Sequence, residues 1–244
     1  MIKRFRMIAG PNGSGKSTLV GLLRRDYAVN FYTMLNSDDI FAEISKTSAY
    51  SPTLPVSEES LLKFVSDSEY SNETKSFFHN RDIYVKDDMI RFGTKESVNT
   101  YTVALLTNFL QQEHLATGKS FSQETVFSHP SKIEALRQAK ESGFRTYLYF
   151  VANSDAAINI ARIANRVRNG GHDVPVEKVV ARAKRCLENV KKALSYCSRA
   201  YFFDNSGIEM RFLAEYSEDS GFVYVEDELP KWFVTQGLRP QARK

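Results

Sequence analysis

Apolar and polar positions along this chain change period repeatedly, and the changes outline its elements. Residues 1–9 carry Phe5, Met7 and Ile8 as a short strand, and 18–25 put Leu19, Leu22 and Leu23 on one helical face. A second strand is predicted over 31–35, closed by Asn36-Ser37-Asp38-Asp39. Helical spacing returns over 98–115 (Val98, Leu105, Leu106, Phe109, Leu110) with Gly118 as a stop, and a strand over 119–126 holds Gln123-Glu124-Thr125. Pro130 opens a helix to about 142, and 146–151 is a dense apolar run, as expected of a parallel strand buried on both faces. Ser154 or Asp155 can cap a helix that runs through Arg168. Pro175 then opens a long helix whose predicted inward stripe is Val176, Val180, Ala183, Leu187, Val190, Leu194 and Cys197. A buried strand over 200–203 runs into Asp204-Asn205-Ser206-Gly207, and 210–216 with 222–226 reads as a C-terminal hairpin. Strand and helix alternate, which predicts an α/β domain with a mostly parallel sheet of about five strands flanked by helices.

Residues 45–96 differ in texture. Ser, Thr, Asn and charged residues dominate, Pro52 and Pro55 lie close together, and only 60–65 is amphipathic. The stretch reads as an insertion with little core of its own. The expectation is one domain over 1–244, with 45–118 inserted as a lid or acceptor-substrate region.

Composition narrows the classes. Hydrophobic residues make up 42% and charged residues 25% of 244, which is ordinary globular usage. A net charge of +4 suits an anionic ligand but is too small to argue for nucleic acid by itself. Cys186 and Cys197 fit neither a disulfide framework nor a zinc spacing. With no apolar run of membrane-spanning length and no signal-peptide core, the expectation is a cytoplasmic protein without a membrane partner.

The chemistry begins at Gly10-Pro11-Asn12-Gly13-Ser14-Gly15-Lys16-Ser17-Thr18, which matches G-x-x-x-x-G-K-[ST] at every fixed position. A strand precedes it and a helix follows, so loop N–H groups and the positive helix end face one anion. The pattern implies a three-layer P-loop NTPase fold and a nucleoside triphosphate, with Lys16 on the β- and γ-phosphates and the Ser17 hydroxyl on Mg²⁺.

Phosphoryl transfer further needs a carboxylate and positive charge. Four acids follow predicted strands: Asp38, Glu124, Asp204 and Asp227. Asp227 follows a Walker B-like run but lies in the hairpin-like tail, and Asp204 opens a turn sequence. Asp38 and Glu124 remain. Asp38 suits a general base, its alternative being a helix N-cap, and Glu124 could fix substrate or Mg²⁺ through water. Arg162 and Arg166 share a helix face at i, i+4, ahead of Gly170-Gly171-His172. They fit a basic lid over the triphosphate, the alternative being a solvated helix face.

These residues together resemble a family. Ile8 to Thr18, Asn36-Ser37-Asp38, Glu124-Thr125, Arg162 to Val167 with Gly170-Gly171-His172-Asp173-Val174-Pro175, and Asp204-Asn205-Ser206 are similar to the zeta-toxin-like P-loop kinases. Leu229-Pro230-Lys231-Trp232 is similar to the family's C-terminal end. The match is dense over 1–44 and 119–207. It implies ATP rather than GTP, Mg²⁺, transfer to a sugar hydroxyl of a UDP-sugar such as UDP-N-acetylglucosamine, and an antitoxin partner. By position it implies that Asp38 is the base, that Glu124 and Thr125 line the acceptor site, and that Arg162 and Arg166 act on the γ-phosphate.

Two rival readings stay open at this level. One is a nucleoside or polynucleotide-end kinase, which a salt series separates because binding to a polynucleotide falls steeply with ionic strength. The other is a nucleotide-dependent protein-binding module in which turnover is incidental.

Overall fold

The computed structural model describes residues 2–169 and 174–238. Gly170, Gly171 and His172, the loop that the sequence places beside the basic lid, and Asp173 lie outside the described residues. The chain forms two compact units, one of residues 1–32 and 122–244 and one of Thr33–Phe121. Elements are numbered in chain order.

The first unit starts with β1 (Arg4–Ala9), the phosphate-loop sequence and α1 (Lys16–Tyr27). It resumes with β6 (Phe121–Thr125), α6 (Ser131–Glu141), β7 (Arg145–Ala152), α7 (Ala156–Arg168), α8 (Val176–Ala193) and β8 (Arg199–Asp204). It ends with β9 (Arg211–Ser217), β10 (Gly221–Tyr224) and α9 (Lys231–Thr235). Its strands lie in the order β10-β9-β8-β7-β1-β6. β1 pairs parallel with β7, Met7 opposite Leu148, and β7 pairs parallel with β8, Phe150 opposite Phe202. The hairpin is not a separate tail. β9 runs antiparallel on β8 and β10 on β9, so the Walker B-like run forms a sheet edge, and Glu226 beyond it pairs with Arg211 at 2.8 Å.

The core explains why these segments are strands. Phe5, Met7, Leu148, Phe150, Ala200 and Phe202 are all buried on one face of the sheet. Phe150 packs on Trp232 and Phe202 on Phe233, ring centroids 5.8 and 5.3 Å apart, which anchors the short α9. Each such side chain contributes roughly 2–3 kcal/mol by leaving water.

The second unit contains β2 (Thr33–Asn36), α2 (Ser37–Thr47), β3 (Ala49–Tyr50), α3 (Glu58–Asp67), α4 (Asn72–His79), β4 (Ile83–Lys86), β5 (Met89–Phe92) and α5 (Thr100–Thr117). β3, β5 and β4 form a three-stranded antiparallel sheet. The sequence suggests little core between 45 and 96, yet Leu54, Leu61, Val65, Phe78, Ile83, Ile90 and Phe92 are buried there. The polar texture misleads because much of it serves as helix caps. Ser57 and Ser60 form a capping box, and Ser71 caps α4.

The first part of the α8 stripe is a second correction, while its later members Val190, Leu194 and Cys197 are buried as expected. Val176 and Val180 are about half exposed, whereas Val179, Cys186, Asn189, Val190 and Ala193 face inward. Two polar contacts set that rotation. The Cys186 thiol donates to the Val126 carbonyl at 3.0 Å, and Asn189 Nδ2 donates to the Phe127 carbonyl at 3.1 Å. Among the described residues, no helix is long and apolar enough to cross a membrane.

Candidate active site

Between β1 and α1 the chain is held in a shape that only glycine permits. Gly10, Gly13 and Gly15 take φ of 156°, 75° and 98°. Each also meets a neighbour where a side chain would stand. A Cβ on Gly10 would lie 2.1 Å from the Val151 carbonyl oxygen, one on Gly13 2.6 Å from that of Asn159, and one on Gly15 2.1 Å from Asn205 Nδ2. The end of β7, the backbone of α7 and the turn after β8 thus clamp the loop from three sides.

Asparagines complete the clamp. Asn205 Nδ2 donates to the Ser14 carbonyl at 2.9 Å, and the Asn205 N–H donates to the Ala152 carbonyl at 3.0 Å. Asn153 lies against Asn159, and both are buried. In one amide orientation Asn153 donates to the Gly13 carbonyl and accepts from Arg162 Nη1, both at 3.4 Å. Turned over, which suits its surroundings better, it donates to the carbonyls of Asn205 (2.8 Å) and Ala152 (3.2 Å). Sequence reasoning passed over Asn153 and Asn159. A signal was there: an Asn stands directly after each of two adjacent parallel strands, β7 and β8.

The loop suits an anion. Helix α1 begins at Lys16 behind Gly15, with no acidic residue in its first turn, so its positive end is uncompensated. Lys16 Nζ donates to the carbonyls of Gly10 (3.1 Å) and Pro11 (3.2 Å) of the loop. Asn12 Oδ1 and Ser14 Oγ are buried without hydrogen-bond partners. Ser17 and Thr18, exposed in the first turn of α1, present hydroxyls beside the loop, and that of Ser17 fits a phosphate-bound Mg²⁺.

The remaining predicted residues divide between the units. Arg162 is half-buried on α7 with Nη1 3.4 Å from the Asn153 amide, and Arg166, one turn on, is exposed. Glu124 and Thr125 end β6, both partly exposed, and Thr125 Oγ1 accepts from the Phe127 N–H at 3.4 Å. Phe127 is buried with φ of 66°, a left-handed conformation that costs a non-glycine residue about 1–2 kcal/mol. Cys186 and Asn189 of α8 hold that turn by its carbonyls. Burial lowers Lys132, in the first turn of α6, to about 8 and pushes the Cys186 thiol up.

Asp38 belongs to the second unit, where it is exposed in the first turn of α2. It is not the helix cap: Asn36 is, accepting from the Asp38 N–H at 3.0 Å. Ser37 between them donates to Thr107 Oγ1 of α5 at 3.1 Å, which fixes the start of the helix. Asp204 plays a structural part. Its carboxylate, buried, accepts from Trp232 Nε1 at 2.9 Å and from the Ser206 hydroxyl at 2.8 Å. Beside it opens a cavity of about 420 Å³ lined by Ser154, Ser206, Arg211, Leu229 and Pro230 among others.

Known structures share the overall fold. The AvrRxo1-ORF1:-ORF2 complex solved with ATP matches with a TM-score of 0.54 at 13% identity, over 92% of this chain and 61% of that one. The PezAT chromosomal toxin-antitoxin system of Streptococcus pneumoniae matches at 0.50 and 12%, over 97% and 78%. The fold shared with these two structures is a mostly parallel sheet flanked by helices. An uncharacterized protein of Haemophilus influenzae is 36% identical over 67 residues, 28% of this chain and 45% of its own length. The chain therefore spans under half of that relative and about three fifths of the first structure. No protein-family profile matches it.

Proposed function

We propose that this chain is an ATP-dependent kinase that transfers the γ-phosphate to a hydroxyl of a small molecule, a UDP-sugar such as UDP-N-acetylglucosamine being the first candidate. The observation that carries the reading is the glycine loop, clamped on three sides, with Lys16 at its mouth and the uncompensated end of α1 behind it. Such a loop serves polyphosphate and little else. The likeness to a complex solved with ATP supports ATP as donor.

In this reading main-chain N–H groups of 13–18 and the Lys16 ammonium hold the phosphates. The nucleoside half lies in the cavity beside Ser154 and Ser206, each one residue beyond an asparagine of the clamp. Ser17 would hold Mg²⁺, which when bound offsets charge on the phosphate oxygens. The acceptor oxygen attacks the γ-phosphorus, its proton passes to the Asp38 carboxylate, and ADP leaves with the electron pair of the broken P–O bond. Arg162 and Arg166 offset charge on the moving phosphoryl group, and Glu124 and Thr125 orient the acceptor. An antitoxin partner belongs to the same proposal, supported by the likeness to a toxin-antitoxin system, and so does a cytoplasmic setting, which the sequence suggests.

Incubation of the full chain with labelled ATP, Mg²⁺ and a panel of UDP-sugars, nucleosides and RNA ends tests it. Label on a UDP-sugar is expected. Label on RNA ends, or none on any acceptor, overturns the assignment of substrate.

A further inference from the structure

The function proposed above leaves one well-defined connection unused. Trp232 lies on α9, 216 positions beyond Lys16, yet its indole N–H donates to Asp204 Oδ1 at 2.9 Å. The indole is 5% exposed and packed between Phe150 and Phe233 at centroid distances of 5.8 and 5.6 Å. Asp204 in turn bonds the Ser206 hydroxyl at 2.8 Å, which bridges the turn around Asn205. Asn205 is the residue that grips the Ser14 carbonyl and stands where a Gly15 side chain would be. Leu229 and Pro230, immediately before α9, line the same cavity as Ser154, Asp204 and Ser206.

We propose that Trp232 is a positioning residue for nucleotide, acting on the phosphate loop through Asp204 and Asn205, so that the segment 228–232 belongs to the nucleotide site. This rests on the nucleotide reading of the loop. The physical argument concerns one buried carboxylate. Asp204 is 4% exposed and depends on its donors for stabilisation. Loss of the indole donor leaves Oδ1 with Ser206 alone, and the carboxylate gains by turning toward water. Asn205 follows its neighbour, and the Ser14 carbonyl is released at the N-cap of α1. The loop then samples shapes that do not accept phosphate, which weakens binding by the fraction of time so spent.

The test uses the full chain and two substitutions. Trp232→Phe keeps an aromatic ring between Phe150 and Phe233 but removes the N–H. Phe233→Leu perturbs the same helix without touching Asp204. Calorimetric ATP titration, steady-state kinetics against ATP and melting without nucleotide are measured for both. Trp232→Phe is expected to raise the ATP Kd and KM about five- to tenfold with kcat within about twofold. Phe233→Leu is expected to lower the melting temperature and leave the ATP Kd unchanged. Equal shifts of Kd in the two variants would mean that helix packing alone matters, and would overturn the proposal. A parent that binds ATP beside a Trp232→Phe variant that binds it equally well overturns this inference alone. A parent that binds no ATP overturns the nucleotide reading and this inference with it.

Discussion

Asn205 donates from Nδ2 to the carbonyl oxygen of Ser14 at 2.9 Å, across 191 positions of sequence. That bond ties the turn after one parallel strand to the loop after another. It also explains why position 15 is glycine, since the same nitrogen occupies the place of the missing Cβ. The loop's shape is therefore imposed by neighbours as much as by its own glycines.

Substitutions at two of those glycines are expected to separate backbone from side-chain obstruction. Gly13→Ala meets the Asn159 backbone, which cannot yield, whereas Gly15→Ala meets a side-chain tip. Both carry strain of about 1–3 kcal/mol at their positive φ. Adding Asn205→Ala should recover part of the ATP affinity lost in Gly15→Ala and none of that lost in Gly13→Ala. A double-mutant cycle on ATP Kd measures this; equal recovery in both would show that the clamp is misassigned.

Lys16→Ala should reduce ATP turnover by about two to three orders of magnitude, because the loop loses its point charge on the transferring phosphate. Its melting temperature without nucleotide is measured alongside, because Lys16 also bonds the Gly10 and Pro11 carbonyls. Undiminished thermal stabilisation by ATP in this variant would contradict the loop's assigned role.

Asp38→Asn should preserve ATP affinity while phosphotransfer falls by about 10²- to 10⁴-fold, as expected for loss of a general base. The exposed carboxylate does not cap α2, so the fold should be spared. Transfer at the parent rate would remove Asp38 from the mechanism.

The second unit should lose stability in acid through His114. The ring is 2% exposed, stacks on Phe121 at 4.8 Å and has Nδ1 3.4 Å from the Lys119 carbonyl. Burial lowers it from 6.5 to about 4. Between those values the unfolded chain binds the proton and the folded chain does not. The contribution, on the order of 3 kcal/mol, is thus fully present above pH 6.5 and lost as pH falls toward 4. Urea unfolding at pH 7 and pH 4.5 should show a smaller pH difference in His114→Gln; an unchanged difference would assign the acid sensitivity elsewhere.

Much of the architecture was legible because it rests on local rules. The apolar run of β7, the positive-φ stop at Gly118 and the phosphate-loop spacing all act within a few residues. The inward face of the first part of α8 was not legible. Val176 and Val180 complete an even apolar stripe, but the face that packs is chosen by Cys186 and Asn189 finding the carbonyls of Val126 and Phe127 some sixty residues earlier. The middle of the chain misled for a related reason. Serines that read as loop are caps, and a cap is recognised only once its helix exists.

By its order of residues alone the chain determined that a glycine loop stands between a strand and a helix, because both motif and periodicity are short-range. Tertiary structure decided what grips that loop. Asn159 and Asn205, the latter braced by Asn153 and, through Asp204, by Trp232, arrive from distant positions because parallel strands bring their carboxyl ends together, and no spacing along the chain encodes which of those ends become neighbours.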